Sequence, residues 1–415
     1  MFPKEPRGNS LILGLSLLID WFNPLQNKLS GHQASMGVIA LNCLNLPPCL
    51  CYQPAFTYLS RIIPGPNQPN MFTISNILGP LVKKLLESNQ GIMIHTPKYP
   101  KGHKVIVKLA AFIGDVVATH KKKQLKLGRC RSGQDVCNTS FAYHKLESHT
   151  KKEKLAKKTG ICWSELNRLP YWNPVLNFTL VFIHNWFEGI LQHHLNDQWG
   201  FARNLERRHD SSAGNSNLGS EAMDSSQNNY QSKKFSFSDS NKKTLISHIY
   251  EVVVPNVVTR IQKRLGESHC GRLKASEFNA LVNIYIPLAA LDVLFSDQQD
   301  FNFDLEQFMI NLCALVQFTS IVTSKALNKD DSIKSLQTYE VYRETSSELF
   351  ENVKLNPNHH YTMHLPDHLD WWGPPMGVSE FAGERLVGIL QNIKNNHLNG
   401  KLLIPVLYFL IFTTK

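Results

Sequence analysis

The stretch from Ser10 to Lys28, SLILGLSLLIDWFNPLQNK, constrains the chain more than any other. Its apolar run is shorter than the roughly 20 residues a membrane span needs, and it is closed by Asp20, two aromatics and an Asn-Pro turn. An apolar run of this length between turn formers predicts a buried strand. Such a strand holds the Asp20 carboxylate on a rigid element, aimed where the strand ends. A second run of the same kind, Lys104 to Gly114, also finishes on an acid, Asp115. A third acid, Glu384, falls near the first turn of a helix predicted from Phe381, Leu386, Ile389, Leu390 and Ile393 at helical spacing. Two strand-end Asp and one helical Glu suit a hard cation such as Mg2+, and a metal pair about 4 Å apart is the recurring clamp for phosphoryl displacement. Spacing alone does not select that reading, because a chain with 33 Asp and Glu places some of them at element ends without any shared site.

Taken in order, the sequence predicts strands over 11–20, 36–44 and 57–63, the first two separated by the Asn-Pro turn and the next two by the Pro-rich LNLPPCLCYQP. Pro64-Gly65-Pro66 marks a sharp boundary. Residues 75–87 carry Ile77, Leu78, Leu81, Val82, Leu85 and Leu86 on one helical face, with Gly79-Pro80 as a break point. The strand ending at Asp115 follows. After it Lys121, Lys122, Lys123, Lys126, Arg129 and Arg131 form a basic cluster, the composition that neutralises backbone phosphates, although an exposed loop would look the same. Residues 203–243 are rich in Ser, Asn, Asp and Gly and predict a disordered linker. Apolar residues at threes and fours then predict three packed helices, over 276–295, 304–327 and 333–350, whose Phe-rich stripes are core.

The charge balance, 44 Lys and Arg against 33 Asp and Glu with pI ≈ 9.1, favours a polyanionic partner or a basic solvated face. Eight Cys are too sparse for a disulfide scaffold and point to a reducing compartment. Lys4, Arg7 and LILGLSLLI imitate a signal peptide, but no small-residue cleavage site follows. The tail LLIPVLYFLIF, Leu402 to Phe412, is half a bilayer long and contains Pro405, so no membrane span is expected.

Nine strings run in one order along the chain: IDWFNPLQNK, ALNCLNLPP, YLSRIIPGPNQPN, GDVVATHK, KKTGICWSELNRLPYWNPV, IHNWFEGILQHH, GRLKASEFNALVNIYIPLA, PNHHYTMHLPDHL and WWGPPMGVSEFAGERLVGILQNIK. Together they resemble the transposases of CACTA-type (En/Spm-like) DNA transposons, in particular the Plavaka-like group of fungi. The resemblance implies an α/β fold, an RNase H-like mixed sheet interrupted by a mostly α-helical insertion. It also implies DDE-type DNA cleavage and strand transfer at transposon ends, with two Mg2+ (or Mn2+) ions. By position in the family motifs, the catalytic and metal-holding acids correspond to Asp20, Asp115 and Glu384. The implied partners are transposon-end and target DNA, with a homo-oligomer left open, and the implied location is nuclear. Three successive strands, a helix and a fourth strand beside the first is the order such a sheet uses.

The implied organisation is an N-terminal core part over 1–125, a basic and helical segment over 126–202, a linker over 203–246, a helical insertion over 247–365, a returning core helix over 366–400 and an atypical tail over 401–415. The chain departs from the family where a C-x2-C zinc knuckle is expected. Cys130, Cys137 and His144 stand at six-residue gaps, short of the four ligands of a structural zinc site, so zinc is not expected. His184 and Glu188 lie at i and i+4, a metal-capable spacing that more often makes a hydrogen-bonded helix pair, and only the resemblance gives His184 an auxiliary role. Arg385, beside the Glu, could pair with phosphate or with a sheet acid. His359, His360 and His364 read as core or solvent-facing histidines before DNA or metal contacts. The alternative to catalysis is a transposon-derived protein that binds DNA or protein without cutting.

Overall fold

The computed structural model describes residues 10–23, 36–65, 71–114, 132–201, 239–262, 265, 273–294, 304–350 and 356–392. The chain divides into two compact units, the first formed by Met1–Val181 with Gly377–Lys415 and the second by Phe182–Met376.

The first unit is built on a five-stranded mixed sheet of order β3-β2-β1-β5-β4. β1 (Ser10–Phe22) is central, antiparallel to β2 (Met36–Cys43) and parallel to β5 (Tyr99–Gly114). β3 (Thr57–Ile63) flanks β2, and β4 (Ile92–Thr96), which sequence patterning did not foresee, forms a hairpin with the start of β5. A helical turn α1 (Pro48–Cys51) carries the Pro-rich connection between β2 and β3. The strand β2 is apolar on both faces because both faces are covered, and all but its last residue are buried.

Helix α2 (Met71–Asn89) covers one face, packing Leu78, Val82 and Leu85 against Leu17, Ile39, Ile63 and Leu109. It runs straight through the expected break at Gly79-Pro80. Pro80 and Asn76 both lie on the exposed side, so the carbonyl left without an i+4 donor faces water, while the buried stripe on either side holds the helix together. The same core receives Leu166, Leu169 and Trp172 from the segment after helices α3 (Gly133–Lys145) and α4 (His149–Thr159). On the opposite face, Phe22, Met36, Val38, Leu59 and Ile62 form a core closed by Leu386, Val387 and Leu390 of helix α12 (Phe381–Asn392).

The second unit is helical. It contains α5 (Asp239–Glu251), α6 (Ala275–Ala280), α7 (Ile286–Leu294), α8 (Leu305–Thr323), α9 (Asp331–Leu349), α10 (Pro357–Thr362) and α11 (Leu365–Trp372). Two π-helical stretches, Ile183–Leu191 and His194–Gln198, precede them. α5 begins inside the stretch expected as linker; residues 202–238 lie outside the described ones. α8 has the length and composition of a membrane span, yet it buries Phe308, Leu312, Leu315, Phe318 and Val322 in this unit. At its middle, Asn311 Nδ2 donates to the Tyr342 carbonyl and to the hydroxyls of Thr345 and Ser346 on α9. The weak apolar stripe of α9 follows from its inward residues: Thr345 and Ser346 face the Asn311 amide, Ser335 and Thr338 are buried with their hydroxyls bonded to their own helix's Ser332 and Lys334 carbonyls, and Tyr339, Tyr342 and Leu349 lie among them.

His359 proves to be a core histidine, with the Tyr339 hydroxyl donating to its carbonyl at 3.0 Å. Burial pushes its imidazole pKa down to about 4 and that of His194 down to about 3. In the unfolded chain both titrate near 6.5, so below about pH 6.5 the unfolded state binds more protons than the folded one. The stability of this unit is therefore expected to fall between about pH 6.5 and 4, by on the order of 1.4 kcal/mol per pH unit for each histidine. Urea denaturation at pH 7.5 and 5 measures it; equal midpoints would show that these rings are not buried neutral.

Candidate active site at the end of the parallel strand pair

Asp20 lies near the C-terminal end of β1, paired across the ladder with Val38 of β2. Side chains alternate along a strand, so Asp20 belongs to the face that carries Leu18 and Phe22, the face packed by α12. Its neighbours Ile19 and Trp21 turn to the α2 side, where the Trp21 ring crosses Gly37 so closely that a Cβ there would lie 2.5 Å from it. The Asp20 carboxylate also accepts the backbone N–H of Trp21 at 2.7 Å, which fixes its rotamer.

On the other strand the phase is set by a β-bulge. Up to Leu15, β1 and β5 pair with Leu13 opposite Val107 and Leu15 opposite Leu109; beyond it, Ser16 is opposite Ala111, so Ala110 is the extra residue. Before the bulge the odd residues Val107 and Leu109 face α2; after it Phe112 does, and Ile113 joins Leu18 and Ala40 on the α12 side. A bulge re-aims the strand beyond it in this way. It also frees two backbone groups from the ladder, and both find partners. Leu109 N–H donates to the Tyr171 hydroxyl at 3.1 Å, and the Ala110 carbonyl accepts from Asn177 Nδ2 at 2.6 Å. The Asn177 side-chain oxygen accepts Asn173 N–H at 2.7 Å, and Phe112 exchanges backbone bonds with Asn177 and Thr179. The YWNPVLN string is thus a clamp on the bulge, a role invisible in the sequence because its partner lies 67 positions away.

The third acid comes from α12. Gly383 sits against Leu18, where a Cβ would come within 2.7 Å of the leucine methyl, and Leu386, Val387 and Leu390 continue the buried stripe. Glu384 follows Gly383 in the first turn, exposed on the flank of that stripe, and Arg385 beside it is also exposed. Asp20 and Glu384 therefore come from a strand and a helix packed on one face of one sheet. Asp115 and the cluster from Lys121 to Arg131 lie outside the described residues, and among the described ones no three His, Cys, Asp or Glu side chains converge in a cation-holding group.

Other residues singled out in the sequence are placed as follows. His184 and Glu188 form the hydrogen-bonded pair, Nδ1 to Oε2 at 2.7 Å, on the π-helical stretch of the second unit. Cys137 and His144 stand on α3, with the His144 ring stacked on Trp163; Cys130 lies outside the described residues. The basic and helical segment expected over 126–202 contains α4, although no residue of that helix stood out in the sequence. Its Lys151, Lys154, Lys157 and Lys158 are exposed, and no acid occupies its first turn, where the helix dipole would favour one. The signal was present as a Lys repeat, masked by the denser cluster upstream.

Residues 1–164 match the family model described as transposase family tnp2, a segment that includes the entire sheet, α3 and α4. The match covers about two fifths of the chain and supports a transposase family and a transposase-like function. No curated protein matches the chain.

The clamp makes a direct test of the site's foundation. Asn177→Ala would leave the Ala110 carbonyl and the Asn173 N–H unpaired, at a cost of about 3 kcal/mol, whereas Tyr171→Phe, removing one acceptor, should cost about 1 kcal/mol. Urea unfolding of the two variants should show that order, and an Asn177→Ala protein as stable as the parent would mean that the bulge needs no clamp.

Proposed function

We propose that the chain is a DDE-type transposase of the CACTA and Plavaka-like kind, nuclear and of fungal type, whose RNase H-like core cuts and joins DNA through Asp20, Asp115 and Glu384. The observation that carries the reading is the parallel register after the bulge, in which Leu18 faces Ile113 and Ile19 faces Gly114. Asp20 follows Ile19 in the sequence and Asp115 follows Gly114. The peptide bond keeps the Asp115 Cα about 3.8 Å from that of Gly114, and neighbouring strands lie about 4.8 Å apart. Asp20 and Asp115 are thus each the next residue in sequence after a paired position, and the helix that carries Glu384 packs on the Asp20 face of the sheet.

The donor set fits the implied ions by its chemistry: carboxylate oxygens are what hard divalent cations take. Asp20, Asp115 and Glu384 would hold two Mg2+ or Mn2+ ions, which when bound supply activation of a water or DNA 3′ hydroxyl and neutralise charge on the leaving oxygen. The chain's own residues do the rest. The Trp21 N–H holds the Asp20 carboxylate in one orientation. Gly383 lets α12 approach β1 closely enough to bring Glu384 over that sheet face. Arg385 offers a cation to a phosphate or to a sheet acid. The cluster of Lys121, Lys122, Lys123, Lys126, Arg129 and Arg131, together with the α4 lysines, would grip the DNA backbone, the sequence-independent part of affinity that weakens with salt. His184, oriented by Glu188, is assigned an auxiliary role on resemblance alone.

A nicking assay on duplexes bearing the transposon ends tests this. The parent chain is expected to cut in Mg2+ or Mn2+ and not in EDTA. Asp20→Asn and Glu384→Gln should each cut more than about a hundredfold slower, since even outer-shell partners of a metal ligand are worth 10–100-fold, with DNA binding retained. Binding without any metal-dependent cut by the parent chain would favour the transposon-derived, non-cutting protein instead.

A further inference from the structure

The hairpin of β4 and the start of β5 is the part of the sheet that neither helix layer covers. Every residue from Ile92 to Lys101 is exposed, on both faces of the ribbon. Met93 is 58% and Tyr99 45% exposed, an amount of bare apolar surface that a strand with no partner to meet does not normally keep. The ribbon is nevertheless locally braced. Thr96 pairs with Tyr99 across the turn, the Tyr99 and His103 rings lie 4.9 Å apart, Lys98 Nζ stands 5.9 Å from the Tyr99 centroid, and His95 Nδ1 lies 3.0 Å from the Pro100 carbonyl. Gly102, at φ +84°, leaves room for the Met93 and His95 side chains to lie across it.

Its charge is one-sided. Lys98, Lys101 and Lys104 fall within this region, and no Asp or Glu occurs between Glu87 and Asp115. An acid-free two-stranded ribbon with apolar and aromatic side chains between its lysines is complementary to one polyanion in particular. The major groove of B-form DNA is wide enough for such a ribbon, with phosphates on either side to meet the lysines. We propose that the β4–β5 ribbon is a duplex-DNA contact surface, separate from the carboxylate end of the sheet. It rests on the reading of the chain as DNA-directed. Because the ribbon and Gly114 are opposite ends of one 16-residue strand, rising about 3.3 Å per residue, its lysines fall roughly 30–50 Å from Gly114, about 10–15 base pairs along a duplex.

The test uses the full chain with Lys98, Lys101 and Lys104 all changed to Ala, and fluorescence anisotropy of a labelled 40-base-pair duplex between 50 and 200 mM salt. Each phosphate deprived of its lysine should lower the slope of log K against log salt by about 0.9. The triple variant is therefore expected to show a slope smaller by about 2.7 and to bind at least about tenfold more weakly at the lowest salt, with an unchanged melting temperature. Single Lys98→Gln and Lys101→Gln variants, each expected to lower the slope by about 0.9, keep the comparison open if the triple variant folds poorly. Equal affinity and slope for parent and variants would overturn the ribbon's role while leaving the cutting reading untouched, because nicking by the parent chain is a separate readout. A change from dimer to monomer on sedimentation of the triple variant, with its DNA binding intact, would overturn it as well, assigning the ribbon to pairing between copies.

Discussion

The side-by-side pairing of β1 and β5, with one extra residue in β5, is the constraint on which the first unit depends. Alternation along a strand is strict, so a single inserted residue exchanges the two faces for everything that follows. Ala110 is that residue. Before it, β5 presents its odd positions to the α2 core; after it, Ile113 lies with Leu18 under α12. The exchange is inexpensive only because Tyr171 and Asn177 satisfy the backbone groups that the ladder gives up, since an unpaired group in such a place costs about 1–3 kcal/mol. The segment that supplies them also delivers Leu166, Leu169 and Trp172 to the core, which ties hydrophobic packing and polar satisfaction of the bulge to one folding event.

Much of this was legible along the chain. The strand over 57–63 is observed at Thr57–Ile63, and 36–44 at Met36–Cys43, because each is an apolar run fenced by turn residues. The fourth predicted strand pairs with the first in parallel, giving an α/β sheet. What escaped the sequence shares one physical character: it depends on partners far away. The hairpin strand β4 looks unpromising between Gly91 and Pro97, and its burial pattern, exposed throughout, carries no alternation to read. The break expected at Pro80 ignored that a helix anchored on a sheet tolerates one unpaired carbonyl on its wet side. The bulge itself leaves no trace in KVIVKLAAFIG. Of the candidate site, the strand-end position of Asp20 and the first-turn position of Glu384 could be read locally; their common sheet face could not, because it follows from the register.

The second unit teaches a different point about reading helices. Its central helices are joined by polar as well as apolar contacts: Asn311 reaches three acceptors on α9, Trp186 donates to Thr319, and Asn185 donates to Thr362. A helix whose inward residues mix Ser and Thr with Tyr339, Tyr342 and Leu349 has almost no amphipathic signature, yet its hydrogen-bonded partners specify the packing.

Asp20 and Glu384 are carried by elements that leave the ribosome at widely separated times. By the time Gly114 has emerged, β1, β2, β3 and α2 are available to assemble, but the helix that seals Leu18, Val38, Leu59 and Ile113 is encoded only at Phe381–Asn392. At translation rates of 5–20 residues per second the wait is on the order of tens of seconds. Throughout it, a broad greasy surface stands open to solvent while the second unit is being made. Nascent chains halted within that interval would be natural clients for chaperones, and the arrival of α12 both hides the sticky face and brings Glu384 to it, so burial of that face and completion of the candidate site would fall on the same step of biosynthesis.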